Sequence, residues 1–283
     1  MKDRICMLTS QIGSELDELS LRIYHSPELG YQEYKACSWH TELLRKYGFH
    51  IQEKPCGIET GFKAVYDSGK SGLTVAYMAK YDALPGIGHG CGHNILGAAS
   101  TGAGIVLKEI IDEVGGRVIV FGTPAEETSG AKVTYAEEGE FDDVDIAMSA
   151  HPASRYASSG ASLALMPVQF EFNGKTAHAA AEPWEGINAL DAAIEPDQPR
   201  ENMGSSDVGQ VSHVCPTIHP YFDVTNDRGI PGHTRELGEA TLTDYAKEQM
   251  RNTVAALALT AFRVMTDPVL FAEIHEEFLN APK

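Results

Sequence analysis

The sequence predicts an α/β fold, a sheet covered by helices on both of its faces. Three observations predict it. Four short runs, residues 61–66, 73–78, 117–121 and 144–148, are β-branched or continuously apolar and bounded by turn residues, as buried strands are. Residues 95–111 and 132–138 fall between them with apolar positions at helical spacing, so strand and helix alternate and the sheet gains a helical layer on each side. A chain of 283 residues, 43% apolar, is long enough to fill such a core, as one large domain or a medium domain with a smaller one.

In chain order, Ile12, Leu16, Leu19 and Ile23 share one face of a helix over residues 11–25, and a second helix over 34–47 stops at Gly48. The alternating strands and helices follow. Phe170 and Phe172 mark a further strand, residues 184–194 a helix, and residues 195–200 a polar, Pro-containing junction. Residues 237–265 and 268–279 close the chain as helices. There is no repeat and no low-complexity tract.

Lys and Arg number 22 against 40 Asp and Glu, a net charge of −18 that repels phosphate backbones and anionic headgroups. Neither nucleic acid nor a membrane surface is therefore expected as a partner. The apolar stretch at 254–262 is too short to span a bilayer, and residues 1–10 lack the apolar core of a signal peptide. Cys6, Cys37, Cys56, Cys91 and Cys215 are odd in number and widely spread, which fits a reduced cytoplasm.

Three segments could carry chemistry. In GIGHGCGHN, residues 86–94, an extended or looped backbone lets Cys91 and His93 face one point, while Gly90 and Gly92 allow the chain to bend closely around it. Thiolate and imidazole suit zinc, manganese or a similar ion; the segment by itself also fits a Gly-rich turn with a buried Cys and a surface His. A dinucleotide fingerprint fails on glycine register, and neither SSGAS nor GSSDVG gives a serine-hydrolase elbow. In GTPAEE, adjacent Glu126 and Glu127 project differently, so one can ligate a metal while the other faces a reacting water. AMSAHP puts His151 at the next strand exit, where α/β sheets gather ligands.

These segments, with YHSPELGYQEYKA, YDALPGIGHGCGHN, GKTAHAAAEPWEGINALDAA, GSSDVGQVSHVCPTIHPY and GHTRELGEAT, run in an order that resembles one family. It is the two-metal aminoacylase and carnosine dipeptidase type of metallopeptidases, in the amidohydrolase branch that holds the indoleacetyl-amino acid hydrolases and p-aminobenzoyl-glutamate hydrolase. The resemblance covers nearly the whole chain. It implies a three-layer, zinc-peptidase-like catalytic domain with a central mixed sheet over residues 1–162 and 199–283, and a lid over 163–198. It implies two divalent metal ions, Zn or Mn, held by Cys91, His93, Glu127, His151 and His233, with Glu126 as general acid/base and Asp82 orienting the site from behind the ligands. His219 is the alternative last ligand, because the GHT motif that carries His233 is short. His178 matches the lid histidine that stabilises the tetrahedral intermediate in relatives, often from a neighbouring subunit. The implied partner is a small N-acyl amino acid or dipeptide-like amide, and the lid implies a homodimer.

The sequence departs from the family in two places. Lys80 stands where relatives carry a histidine or an acid. Most of the lid is also missing from the family pattern, since Ile194 runs within a dozen residues into GSSDVGQVS of the catalytic domain. Two functions thus compete: a metal-dependent hydrolase of amide bonds, and a lid-deleted metal-binding core with little or no turnover. An acidic scaffold without metal is a third.

Overall fold

A computed structural model describes residues 1–158 and 206–281. The chain divides into two units, Met1–Leu165 with Ser205–Lys283, and Met166–Gly204. The strand expected at Phe170 and Phe172, the helix at 184–194, the junction at 195–200 and His178 lie outside the described residues.

The first unit is a mixed α/β fold around a six-stranded sheet. Its strands are β1 (His50–Glu53), β2 (Phe62–Asp67), β3 (Thr74–Ala79), β4 (Arg117–Gly122), β5 (Ile146–Met148) and β7 (Thr217–Ile218), in the order β1-β2-β4-β3-β5-β7. β4, β3, β5 and β7 run parallel, while β1 and β2 are antiparallel to their neighbours. Residues alternate between two cores along the central strands. Val75, Tyr77, Val118 and Val120 enter one, and Ala76, Met78, Ile119 and Phe121 enter the other. A period of two with both faces apolar is what a sheet buried on each side requires.

The first core is roofed by α1 (Lys2–Tyr24), α2 (Tyr34–Lys46), α3 (His93–Ile111) and α7 (Asp244–Thr266), through residues such as Leu16, Ile23, Ile105 and Val254. The second is closed by α4 (Ala131–Glu137) and α5 (Val208–Ser212), with Tyr135, Phe141, Val208 and Val211. α3 is long and apolar enough to cross a membrane, but 89% of its apolar window is buried inside the fold. It reaches the sheet closely because of Gly97, where a Cβ would lie 2.4 Å from the Lys80 carbonyl oxygen.

Several elements differ from expectation. α1 begins well before residue 11, since Ile5 continues its buried stripe. The single helix expected over 237–265 is two, α6 (Arg235–Ala240) and α7, because Thr234 and Thr243 each accept a backbone N–H as N-caps and restart the helix. α8 (Pro268–Asn280) follows, with Asp267 as its cap. β1, β7, β6 (His151–Ala153) and β8 (Tyr221–Asp223) have two to four residues, too few to show a period; β6 and β8 form a separate parallel pair.

Candidate metal centre

The parallel strands β3, β4 and β5 deliver their following residues to one edge of the sheet. β3 leads to Lys80 and Asp82, β4 to Glu126 and Glu127, and β5 to His151. Of the extended or looped backbone expected around Cys91 and His93, the structure has a turn that leads straight into a helix. Gly92 between them is left-handed, with φ 74°, and His93 is already the first residue of α3. A side chain at position 92 would meet Pro152 Cγ at 2.6 Å, so glycine is required twice over, by conformation and by space. His233 sits in a loop with φ 60°, its N–H bonded to the Gly90 carbonyl, which brings this residue, remote in sequence, beside the Cys91 turn.

Three groups of donors converge here. Cys91, His93 and His151 lie within 4.8 Å of one another, as do Cys91, Glu127 and His233, and also His93, Glu126 and Glu127. Cys91 therefore belongs to two triads that together use all five expected ligands, a sharing not read from the sequence. Its Sγ is 3.5 Å from His151 Nε2, and Glu127 Oε2 is 3.5 Å from His233 Nε2. His219 is in none of these groups; its ring stands edge-on to that of His151, centroids 5.6 Å apart.

The residues fit a borderline divalent cation. His93 Nε2 and Glu127 Oε1 are buried without a hydrogen-bond partner, which polar atoms avoid unless something else satisfies them. His93 Nδ1 donates to Asp82 Oδ1 at 2.8 Å, so Nε2 faces the cluster; His151 Nδ1 donates to the Pro152 carbonyl at 2.8 Å, leaving its Nε2 toward Cys91. Sulfur, imidazole nitrogen and carboxylate oxygen together suit a divalent metal ion.

Electrostatics separate the groups. Burial lowers His151 to about 3, aided by Lys80 and His93, so this imidazole is neutral. Burial also works against a charge on His93, but Asp82 and Cys91 outweigh it and raise that ring well above its usual range. Burial pushes the Cys91 thiol up to about 11, with His93 opposing. Glu126 resists burial and is held well below the carboxylate range by Lys80, His93 and Lys132. Lys80, fully buried, places Nζ 2.7 Å from Glu126 Oε1, and Ser206 Oγ donates to the same oxygen at 2.7 Å.

Ser206, Lys132 and Asp207 were not singled out in the sequence. The Lys132–Asp207 pair, 2.6 Å apart and fully buried, stands next to Ser206. The GSSDVG segment that carries Ser206 and Asp207 was visible, but nothing local tells that a serine before a short helix reaches an oxygen eighty residues earlier.

The chain is similar to known proteins in sequence and in fold. No family model matches the chain. The Xaa-Arg dipeptidase of Mus musculus is 36% identical over 212 residues, 69% of this chain and 48% of its own length. One of the subunits of the p-aminobenzoyl-glutamate hydrolase of Escherichia coli is 30% identical over 233 residues, 75% of this chain and 47% of that protein. The chain is an aminoacylase and carnosine dipeptidase-type metallopeptidase relative. It spans about half the length of these curated relatives. In fold it is similar to the YXEP protein of Bacillus subtilis, described as a dinuclear metal-binding peptidase of the M20 family, with a TM-score of 0.61 at 15% identity over 88% of this chain and 99% of that one.

Proposed function

We propose that the whole protein is a two-metal amidohydrolase that cuts the amide bond of an N-acyl amino acid or dipeptide-like small molecule. The observation that carries this is the pair of donor triads meeting at Cys91 with Glu126 beside them. Cys91, His93 and His151 would hold one ion, and Cys91, Glu127 and His233 the other. Bound there, divalent ions supply Lewis acidity to an amide carbonyl and lower the pKa of water. The thiolate and imidazole donors favour zinc, while the carboxylate donor suits manganese.

The chain's own residues supply the proton path. Glu126, deprotonated and not fully buried, takes a proton from the attacking water and returns it to the departing amine. Asp82 fixes the His93 tautomer through Nδ1 and accepts the Glu127 N–H at 2.8 Å, so one carboxylate orients two ligands. A second reading, a core that loads metal and turns over little, is favoured by the Lys80–Glu126 pair, which occupies the base with a buried cation. His178 and the expected dimer contact of the lid remain part of the proposal and lie outside the described residues.

Metal analysis together with hydrolysis of a panel of N-acyl amino acids and dipeptides tests both readings. Glu126→Gln is expected to keep both ions and abolish turnover, whereas Glu127→Gln loses metal first. Normal metal content in both variants would remove Glu127 from the ligand set. Full metal loading of the unaltered chain with no hydrolysis of any member would favour the second reading.

A further inference from the structure

The turn that carries Glu126 and Glu127 is strained at its first residue. Ala125 has φ 62°, a left-handed conformation that costs an L-residue roughly 1–2 kcal/mol, and it is completely buried. Something must hold it. Its N–H donates to Glu33 Oε1 at 2.8 Å, and the other oxygen of the same carboxylate accepts from Thr60 Oγ1 at 2.9 Å. Glu33 is itself fully buried, in the YHSPELGYQEYKA segment that no role above has absorbed.

The brace continues beyond Glu33. Tyr81, adjacent to both Lys80 and Asp82, donates its hydroxyl to the Thr60 carbonyl at 2.6 Å. The strand exit that bears Asp82 is thereby tied through Thr60 and Glu33 to the turn that bears the two glutamates. Two buried carboxylates also grip the backbone on either side of Glu126. Glu33 holds the N–H of Ala125, and Asp82 holds the N–H of Glu127. Asp82 already has a partner among the ligands; Glu33 has none and acts only through the backbone.

The geometry points to Glu33 as a positioning residue that holds the Ala125 turn in its left-handed form and so aims Glu127 at the second triad and sets Glu126 beside it. This rests on the metal reading given above. Of the two triads formed by the five ligands, only Cys91, Glu127 and His233 takes a donor from that turn. Loss of the brace should therefore weaken one ion and spare the other, a pattern general loss of stability does not produce.

The test is a cobalt(II) titration of the full chain, followed by visible absorption. The unaltered chain should take up two equivalents. Glu33→Leu should keep the first and bind the second about 10- to 100-fold more weakly, the usual cost of losing a group that orients a metal ligand. Glu33→Gln retains an acceptor for the Ala125 N–H and should restore the second equivalent to within a few-fold. Should Glu33→Leu fail to fold, Thr60→Val releases only one oxygen of Glu33, and a smaller loss confined to the second equivalent is expected. Both equivalents bound as tightly as before in folded Glu33→Leu, or in Thr60→Val where it stands in, would overturn the assignment. So would a Glu33→Gln variant as impaired as Glu33→Leu. No cobalt uptake by the unaltered chain would instead overturn the metal reading itself, and this inference with it.

Discussion

Substitution of Asp207 by Asn isolates the contribution of the buried pair behind the candidate base. Asp207 and Lys132 are both fully buried, and Asp207 Oδ1 approaches Lys132 Nζ to 2.6 Å. Attraction between the two opposite charges holds the pair. Burial pulls Lys132 below its ordinary range and pushes Asp207 above its own, with the partner's charge opposing each shift. Removing the carboxylate charge leaves an ammonium group in a dry interior. Breaking such a pair from one side costs about 3–5 kcal/mol, whereas replacing both members with apolar residues of similar volume is often neutral or better. At roughly 2–4 °C per kcal/mol for a chain of this order, Asp207→Asn should lower the midpoint of thermal unfolding by about 6–20 °C. Lys132→Met with Asp207→Leu should recover most of that. Thermal unfolding followed by circular dichroism, with urea unfolding as a second measure, gives both numbers. A loss of under about 1 kcal/mol for the single variant, or a double variant no better than the single, would refute the reasoning.

Cys91 should be shielded from iodoacetamide in metal-loaded protein and become reactive after chelation, at a rate that climbs with pH because burial lifts the thiol to about 11; equal labelling in both states, read by mass spectrometry, would take it out of the ligand set. Glu33 predicts a pH dependence in chelated protein. Burial, with Asp82 adding repulsion, raises it to about 7, above its unfolded value of about 4.3, so its stabilising contribution is complete below the unfolded value and is lost as pH rises through 7. Relative to Glu33→Gln, the unaltered chain should lose on the order of 3 kcal/mol between pH 4 and pH 8, and parallel stability curves for the two would contradict this.

The central sheet was legible because its strands are apolar on both faces and bounded by turns. Residues such as Val75 to Met78 and Val118 to Phe121 carry that signal without help from distant contacts. Tyr221 to Asp223 and His151 to Ala153 carry none, since three residues pair only because β6 and β8 are brought side by side by the rest of the fold. The single helix expected over 237–265 is two for a related reason. Apolar periodicity runs on through Leu242, while the break is made by two threonine hydroxyls that cap successive helices. At the site, residue types and motif order pointed to Cys91, His93, Glu126, Glu127 and His151, and these do converge. That Cys91 serves two triads depends on the left-handed Gly92 and the loop around His233, which no spacing encodes. Glu33, Lys132, Asp207 and Ser206 act through contacts between segments far apart in the chain, and local pattern is silent about those.

The packing of α7 has a consequence for how the protein is made. This helix roofs α1 and α3, and Arg251 on it pairs with Asp17 of α1 at 2.7 Å, although α1 and α3 emerge from the ribosome long before it. β7, which completes the edge of the sheet beside β5, comes equally late. The apolar faces of Leu16, Ile23 and Ile105 therefore wait uncovered while the intervening residues are synthesised. Contacts of such long sequence separation fold slowly, and a nascent chain holding that surface open is exposed to aggregation and to chaperone capture for the whole interval. Pulse-labelled chains stalled before residue 244 should stay protease-sensitive throughout the first core, with protection arriving in one step once α7 has cleared the exit tunnel.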